Sequence, residues 1–450
     1  MHIAIIGNGI AGITAARFIR KLSDHKITVI SAETDHFFSR TALMYVYMGH
    51  MRLKDIQPYE PWFWEKNRIS LKKAFVEKIN FEGKSLHFNG GEAMPYDKLL
   101  IATGSKSNKF SWKGQDLKGV CGLYSLQDLE NMEQFSPGLQ RAVIVGGGLI
   151  GIEMAEMFHS RHIPVTLLVR EKNYWDNVLP NEEASMITRH IREHGFDLRL
   201  ETELQEIEDD GTGKACAVIT KSGERIACGY VGLTAGVSPN IDFLKESGLE
   251  IGRGIKVNDF LETNIADVYA AGDCMELRQP KPGRRAIEAV WYVGRMSGET
   301  AAYNICGKPI AYDPGVWFNS AKFLDIEYQV YGDVPPPALF PEHYETLYWE
   351  HSDGKKSIRL VYHKASGQIA GLNLMGIRYR HEVCEKWLRE GATMEAVLQD
   401  LSLANFDPEF YEAYELAVIN LYNKLHGKHL QPKKDRKLNS VLRFLSKSKA

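Results

Sequence analysis

The first thirty residues contain an apolar run, a glycine-rich turn and a helical pattern, in that order. Apolar residues fill positions 3–6, and the loop Gly-Asn-Gly-Ile-Ala-Gly follows at 7–12. Apolar residues then recur at helical spacing over 13–22, and a second apolar run covers 26–32. The pattern predicts a strand, a tight turn, a helix and a second strand, which together make a βαβ unit.

The same pattern recurs further along the chain. An apolar run at 142–145 leads into Gly-Gly-Gly-Leu-Ile-Gly at 146–151, a helix is predicted to about Ser160, and a strand at 165–169. Each copy is also followed by a later apolar strand that ends in a small-residue turn, at 99–104 and at 231–236. Such an internal repeat predicts two similar nucleotide-binding folds.

The pattern changes beyond residue 310. Strand-like segments cover 357–363 and 368–375, a helical stretch covers 378–390, and the proline-rich segment Val330–Pro341 is predicted to be a loop. The predicted fold class is therefore α/β, with two Rossmann-like dinucleotide-binding folds and a C-terminal mixed α/β domain.

Composition narrows the possible functions. Of the 450 residues 44% are hydrophobic and 25% are charged, and the formal net charge of −2 provides no general attraction for nucleic acid. The six cysteines form no closely spaced pair, which argues against disulfides and against a metal site and suits a reducing, cytoplasmic compartment. We expect no export signal at the N-terminus and no membrane-spanning segment, because no window approaches about 18 consecutive apolar residues.

The two glycine loops point to phosphate binding. Glycines at the first, third and sixth positions permit a tight turn, close approach of backbone amides to a pyrophosphate and close helix–strand packing, while the helix N-terminus favours an anion. The predicted binding positions are Gly7, Gly9, Ile10, Ala11 and Gly12 in the first copy, Gly146, Gly148, Leu149, Ile150 and Gly151 in the second, and Thr103, Gly104 and Gly236 in the later turns.

An acidic residue is also expected where the second strand of each unit ends, to hold a ribose. In the first copy Glu33 either reaches that ribose or is a solvated loop residue. In the second copy Arg170 and Glu171 stand side by side, and they point in opposite directions because Arg pairs with a 2′-phosphate whereas Glu pairs with a 2′-hydroxyl. Arg170 lies nearer the strand end, which favours NADPH slightly over NADH.

A further motif lies at 263–274, where a short strand ends in Gly272 and Asp273. With this motif the chain resembles the FAD-dependent pyridine nucleotide-disulfide oxidoreductases over residues 1 to about 310. The resemblance implies that Asp273 hydrogen-bonds the FAD ribityl chain. It also implies a discontinuous FAD domain (1–115 and 240–310), an inserted NAD(P) domain (116–239) and an interface domain (311–450) that often forms a homodimer.

Two features indicate the branch of that superfamily. The segment 37–49 lacks the cysteine of the thiol-dependent members, and Phe406-Asp407-Pro408-Glu409 lacks their His-Pro motif. The segment from Ser39 to Gly49 resembles instead the rubredoxin, ferredoxin and nitrite reductases, in which electrons pass from NAD(P)H through FAD to an external acceptor such as ferredoxin or rubredoxin. By this resemblance Arg40 contacts FAD, Tyr45 replaces a lysine near the flavin, and Glu153 contacts the nicotinamide.

The C-terminal tail leaves two alternatives open. From Lys424 onward the chain holds nine Lys or Arg residues against one acid, and Val441–Leu445 form an apolar cluster. A basic amphipathic segment of this kind suits a peripheral NAD(P)H:quinone reductase that touches an anionic membrane, although a solvated tail is the simpler interpretation. A flavoprotein resembling apoptosis-inducing factor, whose redox state controls partner binding, is the other alternative.

Overall fold

The computed structural model describes residues 1–407, 410 and 412–433. The basic tail beyond 433, and Pro408 and Glu409 of the segment compared with the His-Pro motif, lie outside the described residues. The helices are Ile10–Leu22 (α1), Leu43–Tyr47 (α2), Pro61–Lys66 (α3), Leu126–Phe135 (α4), Leu149–Ser160 (α5), Asn181–Glu193 (α6), Trp291–Ile305 (α7), His381–Arg389 (α8), Met394–Gln399 (α9) and Glu415–His426 (α10).

The strands are mostly short. They are His2–Ile6 (β1), Lys26–Ser31 (β2), Ile69–Lys73 (β3), Val76–Asn80 (β4), Ser85–Phe88 (β5), Ala93–Pro95 (β6), Lys98–Ile101 (β7), Ser105–Ser107 (β8), Val120–Cys121 (β9), Ala142–Val145 (β10), Val165–Leu168 (β11), Asp197–Arg199 (β12), Leu204–Asp209 (β13), Ala215–Thr220 (β14), Arg225–Ala227 (β15), Tyr230–Leu233 (β16), Val237–Pro239 (β17), Ile255–Val257 (β18), Val268–Ala270 (β19), Met275–Leu277 (β20), Phe318–Phe323 (β21), Ile326–Gly332 (β22), Tyr344–Glu350 (β23), Ser357–His363 (β24) and Ile369–Met375 (β25).

The first sheet is parallel and has the strand order β19-β7-β1-β2-β3. Its central strands are apolar and buried, as expected for a parallel sheet covered by helices. Helices α1 and α7 pack closely on each other, because a Cβ at Gly298 of α7 would lie only 2.3 Å from the carbonyl oxygen of Ala11. The carboxyl ends of β1 and β7 thus meet the first glycine loop.

The second sheet repeats this arrangement with the order β12-β11-β10-β16-β9, again all parallel. In the first sheet β1, the strand before the glycine loop, lies between β2 and β7. In the second sheet β10 lies between β11 and β16 in the same way. Strands β7 and β16 are the later strands predicted from the small-residue turns. A three-stranded antiparallel sheet, β13-β14-β15, is added to the second fold, and the antiparallel pair β8 and β17 joins the two folds. The predicted internal repeat is confirmed.

Contacts divide the described chain into two compact units. The first comprises Met1–Trp175 and Ile191–Gly315 and contains both parallel sheets. The second comprises Asp176–His190 and the chain from Val316 onward. Residues 176–190 thus pack with the C-terminal unit, whereas the sequence-based division assigns them to 116–239.

The second unit is built on an antiparallel sheet of order β21-β22-β25-β24-β23, with α8, α9 and α10 around its core. Arg359 on β24 makes a buried ion pair with Glu183, at 2.7 Å, which ties the 176–190 segment to this sheet. The loop predicted at 330–341 begins only after Gly332, because β22 continues to that residue. The α/β fold class expected from the sequence is confirmed.

Among the helices of the described residues, none combines the length and apolar character needed to cross a bilayer.

Candidate functional site

The first glycine loop forms an open cradle at the start of α1. Gly7 has a φ of +114°, and a Cβ there would lie 2.0 Å from the carbonyl oxygen of Ala102. A Cβ at Gly12 would lie equally close to the carbonyl oxygen of Gly7, so both positions require glycine. Gly9, the N-cap of α1, has no heavy atom within 4 Å of an added Cβ, which leaves the helix N-terminus accessible to an anion.

The second loop repeats this geometry at the start of α5. Gly146 has a φ of +126°, and an added Cβ would lie 2.7 Å from the carbonyl oxygen of Thr234. A Cβ at Gly151 would lie 2.5 Å from the carbonyl oxygen of Gly146, whereas Gly148, the N-cap of α5, faces open space. The chain therefore offers two cradles of one kind.

One large cleft, of about 1140 Å³, is lined by the first glycine loop and by Ile150 and Glu153 of α5. This volume exceeds the range of about 300–1,000 Å³ typical of sites for drug-sized ligands, so the cleft is large enough for a dinucleotide. The predicted site residues that line it are Gly7, Gly9, Ile10, Ala11, Glu33, Arg40, Thr103, Gly104, Ile150, Glu153, Gly272 and Asp273. The predicted residues outside this lining are Gly12, Tyr45, Gly146, Gly148, Leu149, Gly151, Arg170, Glu171 and Gly236.

Glu33 and Arg40 form an ion pair in the cleft wall. Both guanidinium Nη atoms donate to the Glu33 carboxylate, at 2.9 and 2.6 Å, and the backbone N–H of Leu126 donates to the same carboxylate at 2.8 Å. Arg40 also donates to the carbonyl oxygen of Tyr124 and stacks over its ring at 4.5 Å. Glu33 is therefore an ordered part of the wall and not a solvated loop residue, and Arg40 is not a surface arginine.

Tyr124 is a cleft residue that carries no sequence motif. Its hydroxyl accepts the backbone N–H of Ser105 at 2.9 Å and donates to Asp273 Oδ2 at 3.2 Å. Burial raises the pKa of the Asp273 carboxyl, and the hydrogen bond from Tyr124 opposes that rise. Tyr124 reaches the cleft because the chain crosses there from the first fold to the second, a long-range contact that local sequence patterns do not indicate.

The start of α7 forms a further part of the wall, through Val290, Trp291 and Gly294. Just before it, a buried ion pair joins Arg284 Nη2 to Glu288 Oε2 at 2.5 Å. The N-cap of α7, Val290, makes no side-chain capping hydrogen bond, and the positive end of the helix dipole at this position favours negative charge in the cleft.

Glu153, the fifth residue of α5, brings an acid to the same cleft. Burial, with a smaller contribution from the negative charge of Glu156, raises the pKa of the Glu153 carboxyl to about 7. This carboxyl therefore exchanges a proton near neutral pH.

Comparisons with known proteins agree with this geometry. Residues 1–297 match the family described as pyridine nucleotide-disulphide oxidoreductase. The chain belongs to this family. FAD and a pyridine nucleotide are the ligands that membership supports, and the family recognised from the sequence is confirmed.

Individual relatives differ in how much of their length is matched. The chain is 32% identical to "Rubredoxin-NAD(+) reductase" of Acinetobacter baylyi over 69% of this chain and 82% of that protein. It is 28% identical to "Assimilatory nitrate reductase electron transfer subunit" of Bacillus subtilis over 68% of this chain but spans only 39% of that relative's length. A solved structure of a NAD-dependent persulfide reductase from A. fulgidus shares the fold, with a TM-score of 0.83, 23% identity and coverage of 95% of this chain and 84% of that one.

The residues present fit FAD as this family member's cofactor. The open cradle at Gly9 suits the pyrophosphate, and Asp273, a hydrogen-bond acceptor that lines the cleft, suits a polyol chain. The Glu33–Arg40 pair follows the end of β2, which is where a ribose-binding acid is expected.

Tyr45 lies outside the cleft lining. In this family member the residues of α2 that line the cleft are Leu43 and Met44, while the Tyr45 ring lies against His50, with centroids 6.2 Å apart. Successive helical residues are rotated by about 100°, so one residue further along α2 the side chain faces elsewhere. The place of Tyr45 near the flavin stays a prediction.

The six cysteines, all within the described residues, are free thiols. Cys121 lines the cleft, but burial raises its pKa to about 12, and its Sγ lies 2.6 Å from the hydroxyl of Tyr230. A thiol with so high a pKa is a poor nucleophile.

Arg170 and Glu171 form an ion pair with each other, at 2.8 Å between Nε and Oε1. The Arg170 side chain is 71% exposed and that of Glu171 is 17% exposed. The two residues that gave opposite indications in the sequence therefore partly neutralise each other in the structure.

Proposed function

We propose that the protein is an FAD-dependent NAD(P)H oxidoreductase that passes electrons from a pyridine nucleotide to an external acceptor such as ferredoxin or rubredoxin. The observation that carries the proposal is the single cleft lined by the first turns of both glycine-loop helices, α1 and α5. A ligand on each helix N-terminus can extend into that common space, which is the requirement for direct hydride transfer between two dinucleotides.

The residues take distinct roles in this proposal. The α1 N-terminus at Gly9 binds the pyrophosphate, the Glu33–Arg40 pair holds the adenosine side, and Asp273 accepts hydrogen bonds from the ribityl chain. Glu153 faces the nicotinamide. These residues would hold FAD, which would supply the capacity for hydride acceptance and one-electron transfer.

An external acceptor follows from the cleft wall. Leu43 and Met44 face the cleft from α2, and the thiol of Cys121 is held protonated by its raised pKa. A disulfide or persulfide intermediate on the protein would need a thiolate. The relative named rubredoxin-NAD(+) reductase supports the same class of acceptor.

For the nucleotide we propose that the Arg170–Glu171 pair sets the preference. The exposed guanidinium can leave Glu171 to meet a 2′-phosphate, which supports the slight preference for NADPH, while the carboxylate beside it limits that preference.

We also propose the domain boundaries, the homodimer and the cytoplasmic location given above. The pairing of β19 with β7 supports a discontinuous FAD domain, with the exception of 176–190 noted for the NAD(P) domain. The free thiols suit a reducing compartment. Light scattering on a size-exclusion column tests the dimer.

The decisive experiment is anaerobic stopped-flow reduction of the purified protein by NADH and by NADPH, followed by mixing with ferredoxin, rubredoxin, a persulfide and a soluble quinone. We expect rapid bleaching of the flavin and reoxidation by a one-electron protein, with no reaction with the persulfide. Reoxidation by the persulfide alone would contradict the proposal, and a protein without flavin would contradict the cofactor assignment.

A further inference from the structure

Two helices, α2 and α5, both contribute residues to the wall of the cleft. Helix α2 contributes Leu43 and Met44, and α5 contributes Ile150 and Glu153. The two helices come from different nucleotide folds, and they are in contact. The distance between these two walls therefore depends on how α2 and α5 are held together.

The far end of α2 is inserted between two helices of the second fold. Tyr47, the last residue of α2, is only 1% exposed. Its hydroxyl lies 2.5 Å from Ser136 Oγ, just after α4, and its ring meets Phe158 of α5 edge-on with centroids 5.8 Å apart.

Arg161, the C-cap of α5, holds this end of α2 in place. Its guanidinium carbon lies 3.6 Å from the centre of the Tyr47 ring, and its Nε donates to the Tyr47 carbonyl oxygen at 3.1 Å, with a second hydrogen bond from Nη2. The same guanidinium donates to both oxygens of Glu133 on α4, at 2.7 and 2.5 Å. One side chain thus joins three helices.

The position of α2 depends on such contacts because the helix has only five residues. A helix this short has little stability of its own in water. A planar guanidinium that stacks on a ring while it donates to a carbonyl cannot be replaced by an ammonium group.

We propose that Tyr47 and Arg161 form a clamp that fixes the separation of the two cleft walls, so that both act as positioning residues for hydride transfer. The inference rests on the proposed function. It extends that function because the contact between Tyr47 and Arg161, which lies outside the cleft lining, would align FAD with the pyridine nucleotide. A misplacement of about 1 Å costs on the order of a hundredfold in rate.

The test compares Arg161→Lys with Arg225→Lys in the FAD-loaded protein. Arg225 also donates from Nε to a carboxylate, that of Glu208 at 2.7 Å, in the same fold but on an antiparallel strand, so it is a matched control. Hydrogen exchange of the amides of α2 and the residues after it reports the clamp directly. Stopped-flow reduction separates the limiting rate of flavin reduction from the apparent Kd of NAD(P)H.

For Arg161→Lys we expect at least about tenfold faster exchange at Met48 and Gly49, whose amides bond to carbonyl groups of α2. We expect a limiting reduction rate lower by roughly 10- to 100-fold, with flavin content and nucleotide Kd within about twofold of the wild type. Arg225→Lys should change neither quantity. Glu133→Gln keeps the contact of Arg161 with Tyr47 and should stay within about threefold of the wild-type rate.

Three results would overturn the inference. Unchanged exchange in Arg161→Lys would show that the clamp does not hold α2, and faster exchange with an unchanged limiting rate would show that the clamp does not position the ligands. An equal loss of rate in Glu133→Gln would assign the effect to the ion pair instead. Failure of the wild-type protein to be reduced by either nucleotide would instead contradict the proposed function, while the exchange measurement would still decide whether the clamp exists.

Discussion

The raised pKa of Glu153 predicts how the stability of the protein changes with pH. The pKa is raised to about 7 because the side chain is buried and, to a smaller extent, because Glu156 is nearby. In Glu153→Gln the ionisable group is replaced by a neutral side chain of nearly the same shape. We therefore expect the substitution to remove a cost that the wild-type protein bears only when the carboxyl is ionised.

The sign follows from proton linkage. Below the ordinary value of 4.5 the carboxyl is protonated in both the folded and the unfolded state, so wild type and variant should be similarly stable. Between 4.5 and about 7 the unfolded state releases its proton first, and the stability of the wild type falls as the pH rises. Above about 7 the loss is complete, and it amounts to about 3 kcal/mol.

The assay is the unfolding midpoint measured by calorimetry from pH 4.5 to 8.5, with wild type and variant in the same flavin state. The first unit contains roughly 300 residues. A unit of this size converts about 3 kcal/mol into a shift of about 5 °C. We expect the variant to unfold at least about 3 °C higher than the wild type at pH 8.5 and within about 1 °C of it at pH 4.5.

Glu92→Gln serves as the control, because this glutamate side chain is 64% exposed and forms only a surface ion pair with Lys72, so the variant should unfold within about 1 °C of the wild type. Parallel curves for wild type and Glu153→Gln over the whole pH range would refute the reasoning, since they would mean that Glu153 is not buried as the structure has it.

Three further predictions concern the cleft and its loops. Glu171→Gln should free Arg170 from its ion pair and raise the ratio of kcat/KM for NADPH to that for NADH by about five- to tenfold. Asp273→Ala should lower the flavin-to-protein ratio after gel filtration, because the ribityl chain would lose its acceptor. Gly12→Ala should lower the free energy of unfolding by about 2 kcal/mol or more, since its Cβ meets a carbonyl oxygen, whereas Gly9→Ala should fold normally and still bind FAD weakly.

Each of these predictions has an outcome that contradicts it. An unchanged nucleotide ratio in Glu171→Gln would mean that this pair does not contact the ribose. Full flavin content in Asp273→Ala, with Asp116→Ala as an exposed control, would remove Asp273 from the site. Equal behaviour of the Gly9 and Gly12 variants in both assays would contradict the distinct roles of the two glycines.

Local patterns in the sequence predict the nucleotide folds well. The apolar runs, the glycine spacing and the later small-residue turns identify β1, β7, β10 and β16 because each strand is short and, apart from His2 and Lys98 at the strand starts, buried. Gly7 and Gly146 stand out since only glycine tolerates their positive φ next to a carbonyl group.

Other parts of the site cannot be read from local pattern. Tyr124 meets Asp273, 149 residues away, through the crossing between the two folds. Which residues of α2 line the cleft depends on the phase of that helix, because successive side chains are rotated by about 100°. Residues 176–190 lie within the second fold in sequence, between β11 and β12, yet the buried pair of Glu183 and Arg359 places them with the C-terminal unit.

The order of strands in the first sheet has a consequence for synthesis of the chain. Strand β19 pairs with β7, and α7 packs on α1, but both elements are made only after the whole second fold. The second fold has all five strands of its parallel sheet once residue 233 has been made. Until β19 and α7 are made, the first fold has an unpaired sheet edge at β7 and an uncovered face on α1. As the ribosome extends the chain, the segment translated first is thus the later of the two to close, and it is the part most exposed to aggregation in the meantime.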